Sequence, residues 1–355
     1  GTTYPGQRCS KGWQLCRFVG DLVFYVSVMI VLLRRLNADD VLVVMTDPPM
    51  LPTLAAPLAW IRGARLIVWL QDVFPEVAQR LCSQSFAFLL GPVFTLMRLL
   101  RNQALRSASS VVVLGSVMAQ YIRNQGVDAD RVVAIHNWSH GENVRPILAS
   151  NTPLRTDWGL RDAFVVGYSG NLGRAHDAET LLGAMEQTQK VVLQGGASPD
   201  QAMPLTWVMI GGGWKMRWLE REVHRQGFEH VQFRPYQPRE TLSHSLSVLD
   251  VHLISLQPQL EGLIVPSKFY GILAAGRPVI FLGQADGEIG RIINEHDIGE
   301  VVESADAGAL GEAIVRLALR HSWRHDAGVR ARHLFEDRFG FETALGKWKR
   351  LLFGG

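Results

Sequence analysis

The stretch "EGLIVPSK", Glu261 to Lys268, brings together residue types suited to sugar and phosphate chemistry. Glu261 stands among Leu260, Leu263, Ile264 and Val265, where a carboxylate is costly unless something binds it. Pro266 is well tolerated in the first turn of a helix. The N–H groups of that helix start, with Ser267 and Lys268 beside them, suit a diphosphate. Gly262 through Ser267 would then line the bound group, and the Glu261 carboxylate would accept hydrogen bonds from sugar hydroxyls. A loop glutamate reaching water, ahead of an ordinary buried helix, would read the same way.

Two further glycine clusters follow strand-like runs. In "VVGYSGNLGRAHDAETLL", Gly170 and Gly173 let backbone approach a ligand closely. Amides of this turn and of a helix starting at Asp177 could hold an anion. Asn171, Arg174 and His176 lie in the same turn, and a tight structural turn would use the same glycines. In "WVMIGGGWK", Gly211, Gly212 and Gly213 suit backbone lying against a flat ring or a phosphate, or a flexible turn. Neither is a G-x-G-x-x-G fingerprint or a P-loop. In the first third of the chain, "TDPPMLP" and "WLQDVFPE" each follow a strand, which makes Asp47, Gln71, Asp72 and Glu76 candidates for a ligand cleft. For Asp72 and Glu76, capping of a helix start is the competing role.

The elements that must position these residues alternate in type. Strands are expected at Val41–Met45, Leu66–Leu70, Val111–Leu114 and Arg131–Ile135, with helices at Phe86–Arg106 and Ser116–Gln125. The rhythm breaks at "HNWSHGENVRPILASNTPLRTDWGL", which places a boundary near residues 139–150. It restarts with strands at Phe164–Tyr168, Leu205–Ile210, Val231–Phe233, Val251–Ile254, Pro278–Leu282 and Glu300–Val302. Helices are expected between them, at Asp177–Glu186, Trp214–Gln226, Arg239–Ser247, Ser267–Ala275, Glu288–Glu295 and Ala307–Arg320. "QKVVLQGGASPDQAMP" reads as a flexible loop. Strand and helix in alternation mean an α/β fold of two doubly wound parallel sheets, with ligands at the carboxyl ends of the strands and in the cleft between the units. The expected domains are residues 1–145, 146–338 and a terminal helix at 339–355 that returns to the first. The first sheet reads as incomplete, since "GTTYPGQRCSKGW" offers no opening strand with a glycine-rich turn.

Composition narrows the class. A net charge of +3 over 355 residues does not argue for nucleic acid. Three cysteines without metal-ligand spacing argue against a disulfide framework or a cysteine metal site and fit a reducing, cytoplasmic setting. The apolar run Leu22–Leu33 is short of the ~20 residues a spanning helix needs, and it reads as a buried helix, with an interfacial membrane helix as the second reading. Arg98, Arg101 and Arg106 suggest a basic helix face, either solvated or turned to an anionic membrane.

Together, "MTDPPMLP", "WLQDVFPEVA", "HNW", "YSGNLGRAHDAETLL", "VQFRPYQPRETL", "DVHLISL" and "EGLIVPSKFYGILAAGRPVIF" resemble glycosyltransferase family 4, with a GT-B fold of two facing Rossmann-like domains. The resemblance runs from about residue 38 and is nearest to bacterial enzymes of exopolysaccharide and lipid-linked sugar synthesis. It implies retaining, metal-independent transfer of a sugar from a nucleotide diphosphate sugar to a glycan or lipid-linked acceptor, at or near the inner membrane face. Glu261 matches the family's donor-sugar glutamate. Lys268 and Arg174 would stabilise the leaving diphosphate, and Asn171 and His176 hold places where better-known members carry arginine and lysine. Gly271 stands where a ribose-binding glutamate is expected. That departure, with the apparently shortened first domain, leaves a nucleotide-sugar-binding protein without transfer activity as the alternative, and an epimerase of the same architecture as a weaker one.

Overall fold

The computed structural model describes residues 11–139, 144–189, 191–194 and 202–354. The chain forms two compact units. One comprises Gly1–Val113 with Ala119–Ala134, the other Leu114–Met118 with Ile135–Gly355. The division falls at Ala134/Ile135, ahead of the expected boundary near 139–150. The terminal helix Phe341–Phe353 groups with the second unit, where a return to the first was expected.

The first unit is built on four parallel strands, β1 (Val41–Met45), β2 (Arg65–Trp69), β3 (Ser110–Val113) and β4 (Val132–Ala134), in the order β1-β2-β3-β4. Each crossover is helical, as parallel pairing requires. The helix Leu51–Arg62 carries Pro52 in its first turn, and Gly63 ends it in the left-handed conformation, with φ 71°. Leu66, Ile67, Val68, Val111, Val112 and Val113 are buried and form the centre of the sheet. β1 is an edge strand, and alternate residues Val41, Val43 and Met45 are exposed along it.

Two readings change in this unit. The run Leu22–Leu33 lies inside one helix, Lys11–Arg35, but Leu22, Val23, Phe24, Val26, Ile30 and Val31 are exposed, so it is not a buried helix within its unit. The expected helix Phe86–Arg106 is two, Gln84–Leu89 and Gly91–Ser107, broken at Leu90 just ahead of Gly91-Pro92, where proline favours a new first turn.

The second unit holds β5 (Phe164–Asn171), β6 (Val192–Gln194), β7 (Ala202–Gly212), β8 (Val231–Arg234), β9 (Val251–Ser255), β10 (Val279–Leu282) and β11 (Gly299–Val302). The order is β11-β10-β9-β5-β7-β6, with β8 paired to β7. All pairs are parallel except β6 with β7. The expected loop around "QKVVLQGG" therefore contains a short antiparallel strand at Val192–Gln194, and its residues 195–201 lie outside the described ones.

Both faces of this sheet are covered. Phe164, Val166 and Tyr168 belong to one core with Leu181, Met185, Trp207 and Leu253, whereas Val165 joins Val208, Ile210 and Leu249 on the other face. A strand's side-chain period of two sends neighbours to opposite faces, and burial on both sides is why these strands read as unbroken apolar runs. The chain starts at β5 and continues to β7 on one side, then returns to β9 on the other. The carboxyl ends of β5 and β9 therefore form the topological switch point, where doubly wound sheets bind ligands.

Candidate functional site

At that switch point the turn after β5 meets the segment after β9. His176 Nδ1 is hydrogen-bonded to the Ser255 carbonyl, Ser255 Oγ accepts the Asp177 N–H at 2.7 Å, and Gln257 N–H donates to the Ala175 carbonyl at 2.9 Å. Lys268 crosses from the helix Lys268–Ala274 to β5. Its ammonium lies 3.5 Å from the Tyr168 ring centroid and donates to the Tyr168 hydroxyl, which in turn donates to the Asn171 carbonyl at 2.8 Å. No carboxylate pairs with Lys268 among the described residues, and burial lowers its pKa from 10.5 to about 7. The ammonium is also the nearest group to Gly170, where an added Cβ would lie 3.7 Å from Nζ. A cation, a glycine turn and a strand end are thus held together.

Other parts of the expected seat are already occupied. The helix after the turn starts at Ala178, and the Asp177 carboxylate accepts the Thr180 N–H at 3.0 Å and the Thr180 hydroxyl at 2.7 Å. The Asp177 carboxylate thus caps the helix start where an anion was read from the sequence, and takes its Thr180 N–H. His176 is not a spare cation either. Its ring packs edge-on against Tyr168 at 5.6 Å, and burial, only partly offset by its backbone hydrogen bonds, lowers its pKa. Arg174 lies over the Trp214 ring at 5.6 Å. The helix at Lys268 is only 7 residues long, so its dipole is small and the Lys268 charge dominates.

The triple glycine is required by the backbone itself. Gly211 has φ 119°, and a Cβ there would come within 2.3 Å of the Gly170 carbonyl oxygen. At Gly213, with φ 125°, it would come within 2.5 Å of the Leu172 carbonyl oxygen. Close strand approach and left-handed backbone both require glycine here.

Glu261 accepts the Glu288 N–H at 2.9 Å and so holds the start of the helix Glu288–His296. Burial raises its pKa, against the pull of hydrogen bonds from Glu288 and Gly262. Gly262, with φ 73°, makes the turn that aims the carboxylate, while Leu263 and Val265 are buried in the apolar run. Glu288, which sequence reasoning treated only as a helix start, is itself a hub. Its carboxylate accepts from Val117 N–H and Ser116 Oγ, both at 3.0 Å, and lies 3.1 Å from His136 Nε2. Burial works against the charged form, but the His136 and Val117 hydrogen bonds prevail and lower the Glu288 pKa. The "HNW" stretch was the signal that could have found His136; nothing in the letters around Glu288 marks it. Gly271 lies within the helix Lys268–Ala274 and supplies no carboxylate.

In the first unit, Asp47, Gln71 and Asp72 follow β1 and β2. The Thr46 hydroxyl accepts the Gln71 N–H at 3.1 Å and the Asp72 N–H at 3.4 Å. Burial, and then the Asp47 charge, raise the Asp72 pKa. Glu76 does not join them and makes no side-chain cap to its own helix. It is 3% exposed, accepts from Arg101 Nη2 at 2.7 Å and from the Tyr121 hydroxyl at 2.9 Å, and lies 3.3 Å from Arg98 Nε. The expected basic face is consequently not one. Arg101 is buried and Arg98 is held by Glu76, so of the three only Arg106 is exposed, and the large apolar side chains Val93, Leu96, Leu99 and Leu100 are exposed on the same helix.

Residues 4–138 match the family model described as a glycosyl transferase 4-like domain. Two provisionally named relatives agree. The glycosyltransferase WbjE of Pseudomonas aeruginosa is 26% identical over 319 residues, covering 86% of this chain and 73% of its own length. The colanic acid biosynthesis glycosyl transferase WcaI of Escherichia coli K12 is 27% identical over 240 residues, covering 66% of this chain and 55% of its own length. The fold is that of GT-B proteins. The Anabaena protein Alr3699/HepE in complex with UDP superposes with a TM-score of 0.70 at 16% identity, over 92% of this chain and 81% of its own. Sucrose-phosphate synthase from Thermosynechococcus elongatus does so at 0.67 and 20% identity, over 88% and 73%.

Proposed function

We propose that this family 4-type chain transfers a sugar, with retention, from a nucleotide diphosphate sugar to a glycan or lipid-linked acceptor in polysaccharide synthesis. The observation that carries the reading is Lys268, a buried ammonium with no paired carboxylate among the described residues, set against the glycine turn at the switch point. As the donor's glycosidic bond breaks, negative charge builds on the leaving diphosphate. A preoriented cation in a water-poor site stabilises that charge more than it stabilises the ground state. Arg174 is the second cation of the same turn. Glu261 would orient the sugar ring, and its carboxylate, held by the Glu288 N–H, is rigid enough to do so. No paired carboxylates at hydrolase spacing are invoked, and a diphosphate leaving group needs no protein nucleophile. Metal independence is part of the proposal.

The relatives' names support transfer chemistry and polysaccharide synthesis, and the similar Anabaena protein is seen with UDP. Asp47, Gln71 and Asp72 are proposed for the acceptor. A lipid-linked acceptor, and peripheral binding to the inner membrane face of a cytoplasmic protein, are supported by the helices Gln84–Leu89 and Gly91–Ser107. They expose Phe88, Leu89, Leu96 and Leu99, and no Asp or Glu occurs between Glu76 and Asp128. Among the described residues no helix is long and apolar enough to cross a membrane.

Release of nucleoside diphosphate from a panel of nucleotide sugars, with and without lipid-linked acceptors, tests the reading. Acceptor-dependent release is expected. Tight binding without turnover would favour the non-transferring alternative, to which Gly271 points.

A further inference from the structure

The second unit has a cavity of about 560 Å³ at the end of its sheet opposite Lys268. Ala163, Asp250 and Pro278, which line it, each immediately precede a strand (β5, β9 and β10), so it opens at the amino ends of the strands. Its charge is lopsided. Among the described residues, Arg155, Arg277 and Arg324 line it with a single carboxylate, Asp250, and Arg161 and His325 stand exposed at its edge.

The interior charges do not cancel. Arg155 Nη2 lies 2.7 Å from Asp250 Oδ2, and that same oxygen accepts the Val165 N–H at 2.8 Å. Arg155 Nε and Nη1 donate to the Val248, Leu160 and Ala163 carbonyls, so this residue contributes charge more than free donors. Arg277 donates to the Ile147 and Ser247 carbonyls, and Arg324 to those of Leu317 and Ala318. Carbonyls satisfy N–H groups but carry no net charge, so three guanidiniums face one carboxylate. Burial holds Arg277 and Arg324 below the ordinary guanidinium range. Asp250 offsets part of that, and the neighbouring Arg155 adds to it. Arg277 Nε is buried and has no hydrogen-bond partner among the described residues. Buried polar groups are otherwise nearly always satisfied, and buried excess charge calls for a counter-charge. One wall is apolar, from Ile147, Leu148 and Val329. The volume lies in the range of small-molecule sites.

We propose that this cavity binds a small organic oxyanion, bearing phosphate or carboxylate groups, at a site separate from the Lys268 seat. The anion enters past Arg161 and His325 and lies against the Arg155, Arg277 and Arg324 guanidiniums, with its organic part on the Ile147 wall. Guanidinium forks suit both phosphate and carboxylate oxygens. Binding there ties the segment before β5 to the starts of β9 and β10 and to the helix His321–Leu334, and so it raises thermal stability.

The test is calorimetric titration of the full chain at low salt with pyrophosphate and, separately, citrate. Their relative affinities separate phosphate from carboxylate preference. Charge reversal at the exposed edge, Arg161→Glu with His325→Glu, leaves the interior packing in place and is expected to weaken binding by about tenfold or more. Lys268→Gln is expected to leave this binding event unchanged, and the melting temperature should rise with either anion in the wild type but not in the edge variant. Three results overturn the proposal: no saturable binding by about 10 mM of either anion, loss of binding in Lys268→Gln alone, or binding indifferent to the edge reversal.

Discussion

The Lys268 ammonium rests on the face of Tyr168, 3.5 Å from the ring centroid, while that ring's hydroxyl donates to the Asn171 carbonyl in the turn above. A cation over an aromatic face is held without a carboxylate, which keeps its charge available for a ligand. Lys268→Met should therefore weaken binding of a nucleoside diphosphate by about tenfold or more, measured by calorimetry, with the fold intact by circular dichroism. A change below about twofold would remove Lys268 from the diphosphate site.

The same lysine sets two pH dependences of opposite use. Its pKa is lowered from 10.5 to about 7 by burial. An anion prefers the ammonium, so diphosphate affinity should fall as pH rises above about 7, by up to about tenfold per unit. The unfolded chain keeps the proton up to its ordinary value. It therefore binds more protons than the folded chain between about 7 and 10.5, and the contribution of this group to stability rises with pH across that window. Comparing wild type with Lys268→Met over the window isolates both effects. Equal slopes in the two proteins would refute the assignment.

Glu261 is both a helix cap and the proposed sugar contact, and the two roles separate by substitution. Glu261→Gln keeps an oxygen for the Glu288 N–H, so the melting temperature should change little while turnover drops by about tenfold or more. Glu261→Ala also loses the cap and should cost ~1 kcal/mol. If Glu261→Gln turns over normally, the residue is a cap alone.

Glu76 is bound by Arg101 at 2.7 Å and Tyr121 at 2.9 Å inside the first unit, and burial raises the Tyr121 phenol pKa, with the Glu76 charge adding to it. Glu76→Ala strands a buried guanidinium and should cost ~3–5 kcal/mol by denaturant unfolding. An effect below ~1 kcal/mol would mean that water reaches Arg101.

Leu96 is 57% and Leu99 62% exposed on the acid-free helix Gly91–Ser107. The chain should float with vesicles rich in anionic lipid, and Leu96→Glu with Leu99→Glu should abolish flotation without lowering the melting temperature. Equal flotation of both proteins would place any membrane contact elsewhere.

The letters by themselves determined the architecture. Runs such as "LIV" at Leu66–Val68 and "VVGY" at Val165–Tyr168 read as strands buried on both faces, and helices of the right length between them favour parallel pairing, so the two sheets were readable before any coordinates. The break at Leu90 is written in the Gly91-Pro92 pair that opens the next helix. The positions of Gly170 at the end of β5, of Glu261 in the loop after β9 and of Lys268 at a helix start were also local facts. What each charged group faces was not. Asp177 turned out to cap its own helix, Glu76 to bind Arg101 25 residues away, and Glu288 to accept from Ser116 and Val117 across more than 170 residues of chain. Local pattern depends on side-chain period and backbone preference, which neighbours in sequence decide. A buried charge is decided by whichever partner the fold delivers, and only the tertiary structure brings those partners within 3 Å.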